Sequence, residues 1–329
     1  MRRVLGLVLV SIALTGAGDA CAQGAAPDRA QAFPSRPIRL VVSTTAGGSP
    51  DLIARTIGRQ AEAYLGQTLI VDNRGGANGI IGTMIVINAP PDGYTVLHTA
   101  PAVLLNPLIY RKLPYDVDRD LVPVTCIAVG VGYLMLVSPA LPARTVKEFI
   151  ALAREKPLTY SSSPVGSTTQ IASELFNVRA GVKLLHVPYK GGNEAVSAVM
   201  GGEAHVTFSP PTAALAFVQS GRLRAIAFSG SKRFARLPDV PLISESGVPD
   251  YVVDFTWNAW FAPASTPPEI LNKLHAAVRE ALKSAKVLEF LDAAAFYPVG
   301  STPEEFREFV AKETKRYAQI VREAKVPPQ

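Results

Sequence analysis

Short apolar runs of strand length alternate with segments of helical spacing along most of the chain, and this alternation constrains the fold more than any other feature. Ile38 to Ser43, with Leu40, Val41 and Val42 at its centre, reads as a buried strand, and Thr44 to Ser49 as a glycine-bearing turn. A helix follows, with Ser49 as its N-cap, Pro50 as its first residue and Asp51 as a first-turn acid. Leu52, Ile53, Ile57 and Leu65 make its apolar face, and Gly66 stops it. The same reading gives strands at Leu69 to Asp72, Thr95 to Thr99, Leu158 to Ser162, Leu185 to Val187, Val206 to Phe208 and Ala225 to Phe228. The intervening helices are Ile80 to Ala89, Val146 to Arg154, Thr168 to Ala180 before Gly181, and Glu194 to Met200 before Gly201-Gly202. Strands separated by helices pair in parallel and are covered on both faces, so the expected class is α/β with mostly parallel sheets. Pro238 to Pro249 and Pro263 to Pro268 are breaker clusters. Beyond the second only helices are expected, Glu269 to Lys283 and Glu304 to Lys325, the latter with a capped start at Thr302-Pro303-Glu304-Glu305.

With 329 residues, 48% of them hydrophobic, the chain suffices for two domains that each bury a core. Its amino end is different: Met1-Arg2-Arg3, an apolar run from Val4 to Leu14, then Ala20-Cys21-Ala22. This is the layout of a signal peptide over residues 1–22, cleaved after Ala22 and followed by a flexible leader over residues 23–34. Cys21 offers a competing lipid-anchor site, but Gly18-Asp19-Ala20 lacks the apolar residue such processing favours. Cleavage leaves Cys126 alone, without a partner for an internal disulfide. The 33 basic and 27 acidic residues give a charge of +6, spread without basic runs among aromatics, so no nucleic-acid footprint is expected. A weak positive field suits small anions.

Enzyme signatures are missing. No Gly-x-Ser-x-Gly elbow is present, and Ser229-Gly230-Ser231-Lys232 matches Ser-x-x-Lys in what reads as a loop, so no catalytic residue is expected. His98, His186, His205 and His275 are too scattered for a metal site. Gly75 to Gly82 lacks both the dinucleotide and the phosphate-loop patterns and reads as a tight turn into a helix; no cofactor is implied.

Two segments share a design that suits binding. Thr44-Thr45-Ala46-Gly47-Gly48 and Ser162-Ser163-Pro164-Val165-Gly166-Ser167-Thr168-Thr169 each carry a strand into small hydroxyl or glycine residues that open a helix. Free N–H groups at a helix start attract an anion, glycine admits it to the backbone, and hydroxyls add donors. Each alone is an ordinary cap. Two of them, in separate halves of the chain and at the carboxyl ends of strands, point to a ligand cleft. Thr99, Ala100 and Pro101 at the end of another strand are counted with them. Tyr189 reads equally as cleft wall or core, Trp257 as cleft wall and Trp260 as core.

Short matches in order along nearly the whole mature chain carry a resemblance. They include Phe33-Pro34-Ser35-Arg36-Pro37-Ile38, Gly47-Gly48 with Asp51, Val71-Asp72-Asn73-Arg74 and Ala89-Pro90-Pro91-Asp92-Gly93-Tyr94. Others are Leu113-Pro114-Tyr115-Asp116, His186-Val187-Pro188-Tyr189-Lys190-Gly191 and Pro298-Val299-Gly300. In these the chain resembles the receptors of tripartite tricarboxylate transporters, the Bug family of periplasmic solute-binding proteins. The resemblance implies a two-lobed clamshell of the type II-like periplasmic binding protein class, residues 35–126 and 251–329 forming one lobe and 127–250 the other. It implies a small organic anion held by Thr44 to Ser49 at one end and Ser162 to Thr169 at the other, with integral membrane transporter subunits as partners and the receptor as a monomer. The first loop of the family often reads Phe-x-Pro-Gly-Gly, where this chain has Thr44-Thr45-Ala46 before its glycines, and a Phe-Asp-Asn strand end is here Phe208-Ser209-Pro210. Loss of that acid suggests a ligand without a cationic amino group. The competing readings are a sensor that presents its ligand to a membrane regulator, which sequence cannot separate from transport, and an exported α/β hydrolase, which lacks a nucleophile and base.

Overall fold

The computed structural model describes residues 33–326 and residue 328, so the expected signal peptide and residues 23–32 of the leader lie outside it. The last two leader residues do not belong to a loose tether. Phe33 is buried, stands edge-on to Tyr94 with ring centroids 5.1 Å apart, and accepts a hydrogen bond from Lys273 Nζ through its carbonyl.

The first part of the chain runs β1 (Ile38–Val42), α1 (Ser49–Leu65), β2 (Leu69–Asn73), α2 (Ile80–Ile87), β3 (Thr95–Thr99), α3 (Ala102–Ile109), α4 (Val117–Asp120) and β4 (Leu121–Gly130). The middle follows as β5 (Leu134–Val137), α5 (Val146–Glu155), β6 (Thr159–Ser162), α6 (Thr168–Ala180), β7 (Leu185–Pro188), α7 (Gly192–Gly201), β8 (Val206–Ser209), α8 (Pro211–Gln219) and β9 (Arg224–Phe228). The end is β10 (Trp257–Pro263), α9 (Pro268–Ala281), α10 (Ala285–Ala293), β11 (Phe296–Pro298) and α11 (Pro303–Glu323). A six-stranded sheet has the order β11-β4-β10-β3-β1-β2, and a five-stranded sheet the order β7-β6-β8-β5-β9.

Both sheets are mixed, which corrects the expectation of mostly parallel sheets. Parallel pairing is confined to β1 with β2 and β3, and to β6 with β7 and β8, the strands joined through helices. β4 leaves the first sheet and β10 returns to it, so these two run oppositely, and β5 and β9 do the same in the second sheet. β11 is a further correction, a strand where only helices were expected.

Period-two alternation divides each strand between two cores. Leu40, Val42, Val96 and Trp260 pack under α1, α9 and α10, while Val41 and Leu97 face α3 and α11. In the second sheet Met135, Val137 and Phe208 face α5 and α6, and Leu134 and Leu136 face α7 and α8. Burial of Ile53, Ile57 and Leu65 on α1 contributes roughly 1.5–3 kcal/mol each. The helix ends as expected, Gly66 adopting the left-handed conformation (φ 66°), but its N-cap is Gly48 and not Ser49. Trp257 is fully buried, donates from Nε1 to Tyr317 Oη at 2.8 Å and packs on Phe306 and Phe309, so it is core and not cleft wall. Trp260 is core, as expected.

The two crossings are stapled by one serine. Ser229 Oγ accepts from Tyr133 N and donates to Val253 O, both at 2.8 Å, which assigns this serine of the Ser-x-x-Lys match to a buried structural post.

Candidate functional site

Between the two sheets lies a cavity of about 130 Å³. From the first sheet it is walled by Ser43, Thr44, Thr45, Gly48, Ser49 and Pro50, by Gly75, Gly76, Asn78 and Gly79, and by Ala100, Pro101 and Ala102. The second sheet supplies Ser163, Pro164, Ser167, Thr168 and Thr169, then Lys190 to Asn193, and Ser209, Pro210 and Ala213. The crossings add Tyr133 and Thr256, β10 adds Asn258, and the start of β11 adds Phe296.

Among the described residues, six helices begin at this wall. The first residues or caps of α1, α2, α3, α6, α7 and α8 all line the cavity. Each helix start carries unpaired N–H groups and a partial positive charge, and six of them together favour a negative occupant. No carboxylate among the described residues lines the cavity, and the one formally charged residue among them in its wall is Lys190, which is exposed. The nearest acid of the first loop, Asp51, is spent on holding the loop. It accepts from Gly47 N at 2.8 Å and from Asn73 Nδ2 at 2.9 Å, and pairs with Arg55 at 3.0 Å. Burial alone would raise its pKa, but these bonds outweigh that and hold it below the usual carboxylate value.

Thr44 Oγ1 is buried and has no hydrogen-bond partner among the described residues. A buried polar atom left unpaired is unfavourable, and this one belongs to a residue of the cavity wall. Opposite, Tyr133 Oη donates to Thr168 Oγ1 at 2.8 Å, and burial raises the phenol's pKa, which keeps it a neutral donor. Ser167 caps α6 by accepting from Gln170 N at 3.3 Å.

The two walls touch around the cavity. Thr212 Oγ1 donates to Ser49 Oγ at 3.1 Å, and Tyr110 Oη to Val165 O at 3.2 Å. Gly191 sits so close to Thr45 that a Cβ there would overlap Thr45 Oγ1.

Of the residues singled out from sequence, Thr44, Thr45, Gly48, Ala100, Pro101, Ser163, Ser167, Thr168, Thr169 and Ser209 meet at the cavity. The others stand behind it or beside it. Ala46 is exposed, and Gly47 (φ 78°) turns the loop and faces Asn193. Thr99 Oγ1 is bonded to Ser43 Oγ at 2.8 Å, and Ser162 Oγ to Ser163 O at 2.6 Å and His186 Nε2 at 2.7 Å. Gly166 N donates to Gln170 Oε1 at 2.7 Å. Tyr189 turns away, its hydroxyl 3.2 Å from Glu203 Oε2 and its ring against the core beneath α7 and α8.

Sequence reasoning passed over Asn78, Lys190 to Asn193, Tyr133, Thr256 and Asn258. Gly75 to Gly82 does turn into a helix, but its glycines also form wall. Gly79 (φ 86°) lets the turn approach Ser43, whose carbonyl would lie 3.1 Å from any Cβ there. The usable signal was the repeat of one design, since this loop and Lys190 to Gly192 also carry strands into helix starts through glycine.

Comparison with known proteins agrees with this architecture. A model described as "Tripartite tricarboxylate transporter family receptor" matches residues 53–326. The chain is 36% identical to protein BugT of Bordetella pertussis over 329 residues, 98% of each chain. Among solved structures it is similar to "R. palustris Rpa4515 with adipate" (33% identity, TM-score 0.86, covering 90% of this chain and 100% of that one). It is also similar to "MatC (Rpa3494) from Rhodopseudomonas palustris with bound malate" (28% identity, TM-score 0.81, 88% and 100%).

Proposed function

The chain belongs to the tripartite tricarboxylate transporter receptor family, and on that premise we propose that it is a periplasmic solute-binding receptor for a small carboxylate without a cationic amino group. It delivers this acid to integral membrane subunits of a tripartite tricarboxylate-type transporter and performs no chemistry on it. The convergence of six helix starts on a cavity wall without a carboxylate carries the reading. The acids named with the similar structures, adipate and malate, are of the same class.

At ~10–15 Å³ for each water-sized occupant, a cavity of about 130 Å³ takes on the order of ten heavy atoms, the size of a small dicarboxylate or a simple aromatic acid. An ammonium in this cavity would meet helix starts and Ser209 but no counter-charge, a penalty of several kcal/mol. The lobes we propose meet at residues 131–133 and within residues 229–256. This moves the first boundary from residue 126 to the end of β4 at Gly130. Calorimetric titration of the purified protein with adipate, malate, benzoate, aspartate and glutamate tests the reading. An amine-free acid is expected to bind at least about 100-fold more tightly than either amino acid, as ~3 kcal/mol of unpaired charge requires. Tighter binding of aspartate or glutamate would overturn it.

A further inference from the structure

Behind the cavity wall three buried side chains form a chain whose hydrogen-bond polarity can be worked out without seeing a proton. Trp260 Nε1 lies 3.2 Å from His98 Nδ1, and His98 Nε2 lies 3.1 Å from Asn258 Oδ1. An indole N–H is only ever a donor, so His98 Nδ1 must accept. Burial of the ring lowers its pKa to about 4, so at neutral pH it is uncharged and carries its single proton on Nε2. That proton is donated to Asn258 Oδ1, which fixes the amide: the oxygen is engaged by the histidine and the Nδ2 group is left over. Asn258 is 1% exposed and lines the cavity, and Nδ2 has no protein acceptor among the described residues.

We infer that Asn258, held by the Trp260–His98 relay, is a specificity-determining residue whose Nδ2 donates to an acceptor oxygen of the ligand. A freely rotating amide could offer either end to a ligand. This one offers only a donor, so it pairs with a carboxylate or hydroxyl oxygen and opposes any group that has only protons to give. His98 and Trp260 are positioning residues and touch no ligand. The inference rests on the carboxylate reading of the site and goes beyond it by assigning one side chain and its polarity.

The test uses the whole mature protein, with adipate and malate as probes. Asn258→Asp keeps the size and the bond from His98 but replaces the donor with an anionic oxygen, and it is expected to weaken whichever probe the wild type binds by about 10- to 100-fold or more. Trp260→Phe frees the histidine tautomer and is expected to reduce discrimination between the acids and aspartate while the protein stays folded. In the wild type, a long-range proton–nitrogen spectrum is expected to show His98 as the Nε2–H tautomer. An Nδ1–H tautomer, or probe affinity in Asn258→Asp within twofold of wild type, would overturn the inference. If the wild type bound none of the acids, the functional reading would fall instead, and the tautomer would still decide the polarity of Asn258.

Discussion

Gly191 offers a perturbation that separates closure of the cleft from stability of the fold. Its backbone is extended (φ −160°, ψ 171°), a conformation any residue adopts, so Gly191→Ala introduces no backbone strain. What the new methyl meets is the opposite wall: it overlaps Thr45 Oγ1, comes within 3.5 Å of Thr45 Cβ, and lies 2.7 Å from Glu194 Oε2. Glu194 is exposed and swings aside, whereas the threonine hydroxyl must leave its rotamer or the walls must part. Overpacking of this kind typically costs about 1–3 kcal/mol, and here it falls only on the state in which the walls touch. Affinity for a carboxylate should therefore drop by roughly 5- to 150-fold, while the unfolding midpoint of the ligand-free protein stays near wild type. Small-angle scattering at saturating ligand should show less compaction than in the wild type. Thr45→Ala removes the overlapping oxygen and leaves only an ordinary contact, so the alanine at 191 should be nearly silent in that background. Calorimetry on the four proteins of this double-mutant cycle gives the coupling. Wild-type affinity in Gly191→Ala, or an equal loss with and without the Thr45 hydroxyl, would refute the reasoning.

Gly48→Asp is expected to abolish carboxylate binding with little change in thermal stability. Gly48 has an ordinary backbone (φ −74°), and a Cβ there meets nothing closer than Thr45 O at 3.6 Å, so the substitution places an anion where the ligand's charge should sit; binding within tenfold of wild type would exclude the first loop as the site. His98 supplies a pH dependence. With its pKa lowered from 6.5 to about 4 by burial, the unfolded chain takes up a proton that the folded chain refuses, so stability is full above pH 6.5 and declines on acidification until about pH 4. The loss should reach about 2 kcal/mol by about pH 5, and urea unfolding of wild type and His98→Gln measures it; an imidazole titration of His98 near 6.5 would contradict it.

The parts of the fold legible in the sequence are those set by local rules. Gly66 and Gly181 ended their helices where left-handed residues do, and Thr302 with Glu305 forms the expected capping box. The strands read at Thr95–Thr99 and Val206–Phe208 stood out as largely apolar runs before proline or small residues, and the second extends one residue further, to Ser209. β4 did not, because it is buried on both faces and shows no alternation, and because Pro123 argues against a strand. The structure accommodates Pro123 opposite Phe261, beside a register irregularity. The candidate site divided in the same way. Thr44 to Gly48 and Ser163 to Thr169 announce themselves by cap chemistry, whereas Tyr133 and Thr256 reach the cavity only because the chain crosses between sheets there, and Asn258 only because β10 re-enters the first sheet beside it, and no local pattern encodes either.

The interleaving of the two sheets also orders their assembly. All five strands of the smaller sheet lie in one stretch from Leu134 to Phe228, so it can be completed as soon as that stretch exists. The larger sheet cannot, since β10 is the strand between β3 and β4 and pairs Trp260 with Thr125 on one side and His98 on the other. A chain made from its amino end holds β3 and β4 as open, apolar edges until Pro263 has emerged. Pairings so distant in sequence form slowly, and unpaired edges invite aggregation. The first 130 residues of a young chain are therefore expected to need shielding of their open edges for longer than the hundred that follow, and pulse proteolysis of chains halted before and after Pro263 would measure the difference.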